Sequence, residues 1–447
     1  MKLAEHPMVK AFYEKAALAP APVAPAPLDA DWLRQLGRDA GADDVGLVEI
    51  GRPALDDQRE DILRFFPPTR TLLSVVCRMN REPIRSPARS VANLEFHQAG
   101  DHVNEVAQEI VATLERQSIR AVNPAMGFPM EMERFNLGKT WVVSHKPVAV
   151  AAGLGHMGIH RNVIHPRFGN FILLGTVLVD AEATGYDQPL AYNPCLECKL
   201  CVAACPTGAI SPEGHFDFAA CYTHNYREFM SGFTDWVEQV ADSKNALDYR
   251  QKVADAESAS MWQSLAFGAN YKAAYCLAVC PAGEEVIGPY LVDKATHVQA
   301  IVRPLQEKEE AVYVVAGSDA ETHVARRFPR KKTKRVGNGL RPRSIQFFLS
   351  SLPRVFQPGQ SGGLDATYHF TFTGAEERKA TVTIRDKTVQ VSEGHVGTAA
   401  LRVSADSQWW LGFLAKERNL LWGLVRRKLR LKGSPRLLLA FGKCFPS

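Results

Sequence analysis

The chain has no apolar run long enough to cross a bilayer. Its longest, near residues 171–179, falls well short of the roughly 20 residues a spanning helix needs. The first fifteen residues are charged and contain no apolar core leading to a small-residue cleavage site, so a secretory leader is not expected and a cytoplasmic location is. In a reducing compartment, nine cysteines among 447 residues are not spent on disulfides. Acid is scarce at one end only. Residues 326–447 carry 24 basic and 7 acidic side chains, a net of +17, whereas residues 1–325 carry 29 basic and 41 acidic, a net of −12. Such opposite charges could dock tail on body, or the tail could meet an external anion such as nucleic acid or a lipid headgroup. Composition leaves both open.

Seven of the nine cysteines fall in a pattern. Cys195, Cys198, Cys201 and Cys205 precede Pro206, giving C-x2-C-x2-C-x3-C-P; Cys221 follows, then Cys276 and Cys280 before Pro281. The first run has the spacing of a bacterial two-cluster ferredoxin, in which three closely spaced thiolates wrap one cluster and the fourth points at another. A structural zinc site wants two C-x2-C pairs closing one tetrahedron, which leaves Cys205 and its proline unexplained. The pattern therefore predicts iron-sulfur ligation and electron transfer.

Around the cysteines the chain divides into five stretches. Residues 1–30 form an N-terminal arm ending in a proline-alanine spacer. Residues 31–190 turn globular, with a helix expected at 31–40, strands at 44–48, 71–77 and 171–179, and an amphipathic helix at 99–117. Cys77, inside an apolar strand, is expected to be plain core. Residues 191–300 hold the cysteines and a helix-prone insertion between Cys221 and Cys276. Residues 301–343 connect, and 326–343 give nine Lys or Arg without an acid, the composition of a basic linker. Residues 344–447 alternate at 366–373, 380–384, 388–391 and 399–403, a small antiparallel sheet, with apolar segments at 408–415 and 435–441.

Gly153, Gly155 and Gly158 spell G-x-G-x-x-G, the dinucleotide fingerprint. A dinucleotide unit wants a helix after the last glycine, but residues 159–168 hold two more histidines and Pro166. A nucleotide remains the alternative use of this loop.

With these pieces in place, residues 31–281 resemble the epoxyqueuosine reductase family, which is related to reductive dehalogenases. The similarity rests on Gly153-Leu-Gly-His-Met-Gly-Ile-His160, the segment from Gly169 to Asp180, the cysteine run with Pro206-Thr-Gly-Ala-Ile, Phe216-Asp-Phe-Ala-Ala-Cys221 and Cys276-Leu-Ala-Val-Cys280-Pro281. The resemblance implies a nitroreductase-like, corrinoid-binding-type α/β domain beside a two-cluster ferredoxin-like module. Electrons would pass through the clusters to cobalamin, with Gly153, Gly155, Gly158 and His160 lining the cofactor. It also implies crossed ligation: Cys195, Cys198, Cys201 and Cys280 hold one [4Fe-4S] cluster, leaving Cys205, Cys221 and Cys276 for the other. The family's closing motif is C-x2-C-x3-C-P, and the position three before Cys276 is Ala273. The second site is then a [3Fe-4S] cluster, a [4Fe-4S] cluster with a non-cysteine or exchangeable ligand, or a vestige. A further departure concerns the proton donor, an Asp in that family about fourteen residues before the glycine loop. Here that count lands on Lys139-Thr140-Trp141, so Lys139, His145 or His160 become the candidate donors.

The last hundred residues resemble a type 2 sterol-carrier-protein domain, an α+β fold enclosing an apolar tunnel. The matching features are the strand series, the segment Ser404-Ala-Asp-Ser-Gln-Trp-Trp-Leu-Gly-Phe and Arg427-Lys-Leu-Arg-Leu-Lys-Gly433 before a terminal apolar helix. Trp409, Trp410, Phe413, Leu421 and Trp422 are the candidate lining residues. Three functions follow. The first is an iron-sulfur reductase, cobalamin-dependent by resemblance, acting on a hydrophobic small molecule or lipid and fed by a ferredoxin or flavodoxin. The second is an electron-transfer protein serving a partner enzyme. The third is a tRNA-modifying reductase whose basic run grips RNA phosphates.

Overall fold

The computed structural model describes residues 2–18, 26–133, 140–337, 339 and 341–446. Residues 44–179 build a four-stranded sheet from β1 (Asp44–Glu49), β2 (Thr71–Arg78), β3 (Ala121–Val122) and β6 (Ile172–Val179), in the order β1-β2-β6-β3. Every pairing in it is antiparallel. The central strands read as unbroken Leu/Val runs because both faces are covered. Leu73, Val75 and Cys77 face the helices Ala30–Asp39 and Arg89–Arg116, whereas Leu72 and Val76 face Leu55, Ile62, Val148 and Leu154. Cys77 is core, as expected. The long helix begins at Arg89, ten residues before its apolar periodicity becomes plain, because its first turns pack on the cysteine-bearing region: Arg89 donates to the carbonyl of Ala273 at 2.6 Å.

Between these strands, the hairpin of β4 (His156–Met157) and β5 (Val163–Ile164) projects from the sheet. Helices Ser231–Ala241, Ala246–Lys252 and Asp255–Phe267 form the insertion. It is anchored by the wholly buried Arg227, which pairs with Asp235 at 2.5 Å and Glu257 at 3.2 Å while its guanidinium lies over Tyr313. Burying that cation without partners would cost several kcal/mol, so the two carboxylates fix where the insertion sits.

The basic run that the sequence offers as a linker is folded. Strands β7 (Ala311–Val314) and β8 (Lys332–Arg335) pair in parallel across the helix Asp319–Arg327. Lys331 is buried, donating to the carbonyls of Leu305 and Lys308 and to Glu310 at 2.8, 3.1 and 2.7 Å. Lys334 pairs with Glu257, Arg335 with Glu321 and Arg341 with Glu238. Lys331 and Lys334 are thus engaged inside the chain, whereas Arg326, Arg327, Lys332 and Arg343 remain exposed.

Residues 345–444 form the second body, a five-stranded sheet in the order β11-β10-β9-β12-β13: β9 (Ala366–Thr373), β10 (Arg378–Arg385), β11 (Thr388–Glu393), β12 (Leu401–Asp406) and β13 (Leu429–Gly433). The expected all-antiparallel sheet is mixed, because β12 returns parallel to β9. The crossover is long enough to permit this. The whole is a mixed α/β multidomain chain. Among the described residues no helix is long and apolar enough to cross a membrane.

Candidate iron-sulfur centre

The seven patterned cysteines are all free thiols and converge from three segments of the chain. Cys195, Cys198, Cys201 and Cys280 line one small hollow together with Ile159, His160 and Leu196. The remaining three gather beside it. Burial pushes the Cys221 thiol well above its ordinary value, and the neighbouring Cys205 and Cys276 add to the shift. Burial, with Cys205 adding, raises Cys276 to about 12. Cys280 is likewise raised to about 12 by burial, reinforced by Cys198, Cys195 and Cys276. Cys276 also acts on Cys201, so the two groups adjoin. Grouped, buried thiols of this kind are inert as thiols, but they suit a metal that neutralises several thiolates at once. Among the described residues no three His, Cys, Asp or Glu side chains converge tightly enough for a single bare ion. Thiolates gripping the outer corners of a cluster need a wider spacing than that. The structure brings four of the seven cysteines to one hollow and sets Cys205 and Cys276 close to Cys221.

Short-range geometry in the chain explains how the loops reach the site. Cys205 closes the helix Leu200–Ala204 and its sulfur lies 3.7 Å from Thr207 Oγ1. Cys221 sits inside the helix Phe218–Asn225, capped by Asp217. The β4–β5 hairpin covers both sites from the other body. His160 lines the first hollow, and Asn162 Nδ2 donates to Cys276 Sγ at 3.8 Å. Lys146 donates to Asn162 Oδ1 at 2.9 Å and to the Arg161 carbonyl at 2.8 Å, fixing that amide. Asn170 Nδ2 reaches the Cys276 carbonyl at 3.5 Å. Sequence reasoning missed Asn162, Asn170 and Lys146; the first two lie within ten residues of His160, in the stretch that carries the family resemblance.

The candidate proton donors separate. Lys139 lies outside the described residues. His145 is buried, its Nε2 donating to the Ala125 carbonyl at 3.0 Å and its Nδ1 bonded to Thr176 Oγ1 at 2.9 Å, so both nitrogens are engaged in holding strands and loop together. His160 accepts from the Asn162 backbone N–H at 3.1 Å, and burial with Lys146 nearby lowers it to about 4. Burial thus disfavours the charged form of both imidazoles.

Gly153, Gly155 and Gly158 answer to packing. A Cβ at Gly153 would meet the Gln188 carbonyl, one at Gly155 the Val163 side chain and the Ile164 carbonyl, and one at Gly158 the His160 ring and Ile164. The loop follows the helix His145–Ala151 and not a strand, which removes the dinucleotide reading.

In the second body, Trp409 and Trp410 are buried and Phe413 stacks on Trp409 at 5.7 Å. Leu421 and Trp422, by contrast, are 70% and 62% exposed. The five candidates do not share one lining. The first three saturate one another as core, and the last two sit on a short helix, Leu420–Val425, facing outward.

No family model matches the chain. Part of it is similar to epoxyqueuosine reductases. The enzyme of that name from Vibrio cholerae serotype O1 is 35% identical over 82 residues, 18% of this chain and 22% of the relative. That from Cellulophaga algicola is 32% identical over 103 residues, 21% of this chain and 33% of the relative. That from Gloeobacter violaceus is 26% identical over 170 residues, 38% and 50%. The chain thus spans between about a fifth and a half of the length of these curated relatives. Among solved structures, an epoxyqueuosine reductase with a tRNA stem loop gives a TM-score of 0.33 at 16% identity, covering 43% of this chain and 56% of that one. A reductive dehalogenase gives 0.39 at 16%, covering 69% and 40%. Likeness at that level carries no inference about this chain.

Proposed function

We propose that the chain is an iron-sulfur reductase of the epoxyqueuosine reductase type. The observation that supports this reading is the convergence of seven buried or half-buried thiols into adjacent groups, four of them lining one hollow beside the hairpin of the sheet-bearing body. Two clusters, when bound, supply one-electron relays at short range. The chain's own contribution is to hold the thiolates, exclude water from them and donate the Asn162 N–H to a ligand sulfur. Epoxide reduction consumes two electrons and two protons and releases water, a demand that two neighbouring clusters suit. The curated relatives favour a modified tRNA nucleoside as substrate over a lipid, and the exposed Leu421 and Trp422 give a lipid tunnel no support.

The test is anaerobic. Protein reconstituted with iron and sulfide, supplied with a reduced ferredoxin or flavodoxin and with cobalamin added or omitted, is incubated with epoxyqueuosine-containing tRNA. Nucleoside mass spectrometry is expected to show loss of one oxygen. Stoichiometric zinc without acid-labile sulfide would remove the reading altogether. Intact clusters with unchanged nucleoside would leave the second reading, an electron relay to a partner enzyme. One observation favours that second reading: the stretch Lys139-Thr140-Trp141 holds no carboxylate where the resemblance calls for an acid.

A further inference from the structure

The two cysteine-proline segments are built alike. Cys198-Lys-Leu-Cys201-Val-Ala-Ala-Cys205-Pro206 and Ala273-Ala-Tyr-Cys276-Leu-Ala-Val-Cys280-Pro281 align without a gap. In each, the second residue stands in left-handed backbone, Lys199 at φ 61 and ψ 13 and Ala274 at φ 54 and ψ 27. That conformation is unfavourable for a residue with a Cβ, by roughly 1–2 kcal/mol, so its occurrence at both places marks a common turn. A short helix follows each, Leu200–Ala204 and Tyr275–Ala278, with Cys201 and Cys276 in its second position and a Cys-Pro pair after it. By this correspondence Ala273 occupies the place that Cys198 holds in the first segment.

We propose that the second site holds an iron-sulfur cluster on Cys205, Cys221 and Cys276 alone, with its fourth corner at the Ala273 methyl and the iron at that corner exchangeable. The inference rests on the iron-sulfur reading of the previous subsection. What argues against a vestige is that the turn is still specified from outside. The Ala273 N–H donates to Asn225 Oδ1 at 3.0 Å and the Lys272 N–H to the Asn225 carbonyl at 3.2 Å, and Asn225 ends the same helix that carries Cys221. From the opposite side Arg89 donates to the Ala273 carbonyl at 2.6 Å, and Asn93 brackets Tyr271, accepting from its N–H at 2.9 Å and donating to its carbonyl at 3.1 Å. Ala273 is 6% exposed, so whatever completes the corner is small. The exchange balances as [3Fe-4S]+ plus one electron giving [3Fe-4S]0, which takes up one Fe2+ to give [4Fe-4S]2+. The three cysteine thiolates stay bound throughout.

The test is electron paramagnetic resonance of the full-length protein, purified anaerobically and then oxidised with ferricyanide. About one three-iron signal per chain is expected beside about seven irons. Dithionite with ferrous ion should abolish that signal, and re-oxidation should restore it. Ala273→Cys is expected to lose the three-iron signal and gain about one iron; Cys198→Ala should instead double the signal by opening the equivalent corner of the first site. If Ala273→Cys does not fold, the ferrous-ion conversion of the wild type decides. The inference is overturned by about eight irons with no three-iron signal in oxidised wild type, and equally by about four irons, which would mean a vestige. Both of those outcomes leave the reductase reading standing, whereas zinc in place of iron would remove that reading too.

Discussion

Asn162 stands beside a candidate ligand cysteine without being a ligand itself. Its Nδ2 donates to Cys276 Sγ at 3.8 Å, and Lys146 holds the amide in place through Oδ1. An N–H aimed at a ligand sulfur stabilises the more negative, reduced cluster and raises its potential. Removing about 1 kcal/mol of such preference corresponds to roughly 40 mV for a one-electron couple. Asn162→Leu is therefore expected to lower the potential of the second cluster by about that amount and leave the first alone, as read by a potentiometric titration followed by paramagnetic resonance. An unchanged potential would mean the contact is too long to matter. The cysteines were legible in the sequence because ligand spacing is a local property. Asn162 was not, because its role exists only once the hairpin lies over Cys276.

At the scale of elements, two glycines join the bodies that carry the site. Gly169 (φ +66), just before β6, and Gly283 (φ +112), just after Cys280-Pro281, approach backbone to backbone: a Cβ on Gly169 would overlap the Ala282 carbonyl, and one on Gly283 the Gly169 backbone. Gly169→Ala should cost at least about 2 kcal/mol through overlap and left-handed strain. The expected result is a lower thermal midpoint with accelerated loss of iron from the first site. A variant with unaltered iron retention would show that the junction yields. His224, in the helix with Cys221, accepts from the Tyr313 N–H of β7 at 3.3 Å, and its Nε2 is buried without a partner. Burial lowers it to about 4, so the folded state holds it neutral. Its unfolded value lies near 6.5, and protons then favour unfolding as pH falls from 6.5 towards 4. Over that window the wild type should lose up to about 3 kcal/mol more than His224→Gln, measured by paired denaturant titrations, in which any acid lability of the clusters is common to both. Equal slopes would show that the imidazole is not held neutral. Strands and helices were largely readable at this scale from apolar runs and alternation. The parallel β9–β12 pairing was not, since alternation is the same in either direction.

At the scale of the whole molecule, the acidic body and basic tail do not meet through a broad charge contact alone. The junction turns on Gln357, which is buried: its Nε2 donates to Asp217 Oδ2 at 3.0 Å, its Oε1 accepts from the Asp319 N–H at 2.8 Å, and its own N–H donates to the Cys444 carbonyl at 2.9 Å. Asp217 caps the helix that carries Cys221, so Gln357 ties the second body to that helix, and the Gly359 N–H and Gln360 Nε2 add bonds to Asp319 at 2.7 and 3.0 Å. Gln357→Leu takes one bond from the half-buried Asp217 carboxylate and leaves the Asp319 N–H without its acceptor, a cost of about 1–3 kcal/mol. Limited proteolysis should then release a fragment near 344–446 roughly tenfold faster. Iron content should stay unchanged; unaltered cleavage would place the hold elsewhere.

The sequence by itself determined what depends on neighbours along the chain. This includes the cysteine spacing with its proline-bounded turns, the apolar runs that become β2 and β6, and the alanine that stands where a ligand is expected. Tertiary structure decided what depends on partners distant in sequence. It brought Cys195, Cys198, Cys201 and Cys280 to one hollow, gave the G-x-G-x-x-G glycines to internal packing, and paired Lys331, Lys334, Arg335 and Arg341 with Glu310, Glu257, Glu321 and Glu238. It also turned Trp422 outward while burying Trp410. Periodicity and spacing are set by backbone geometry over a few residues. Whether a charge is spent, a glycine crowded or a ring buried is set by which surface folds against it.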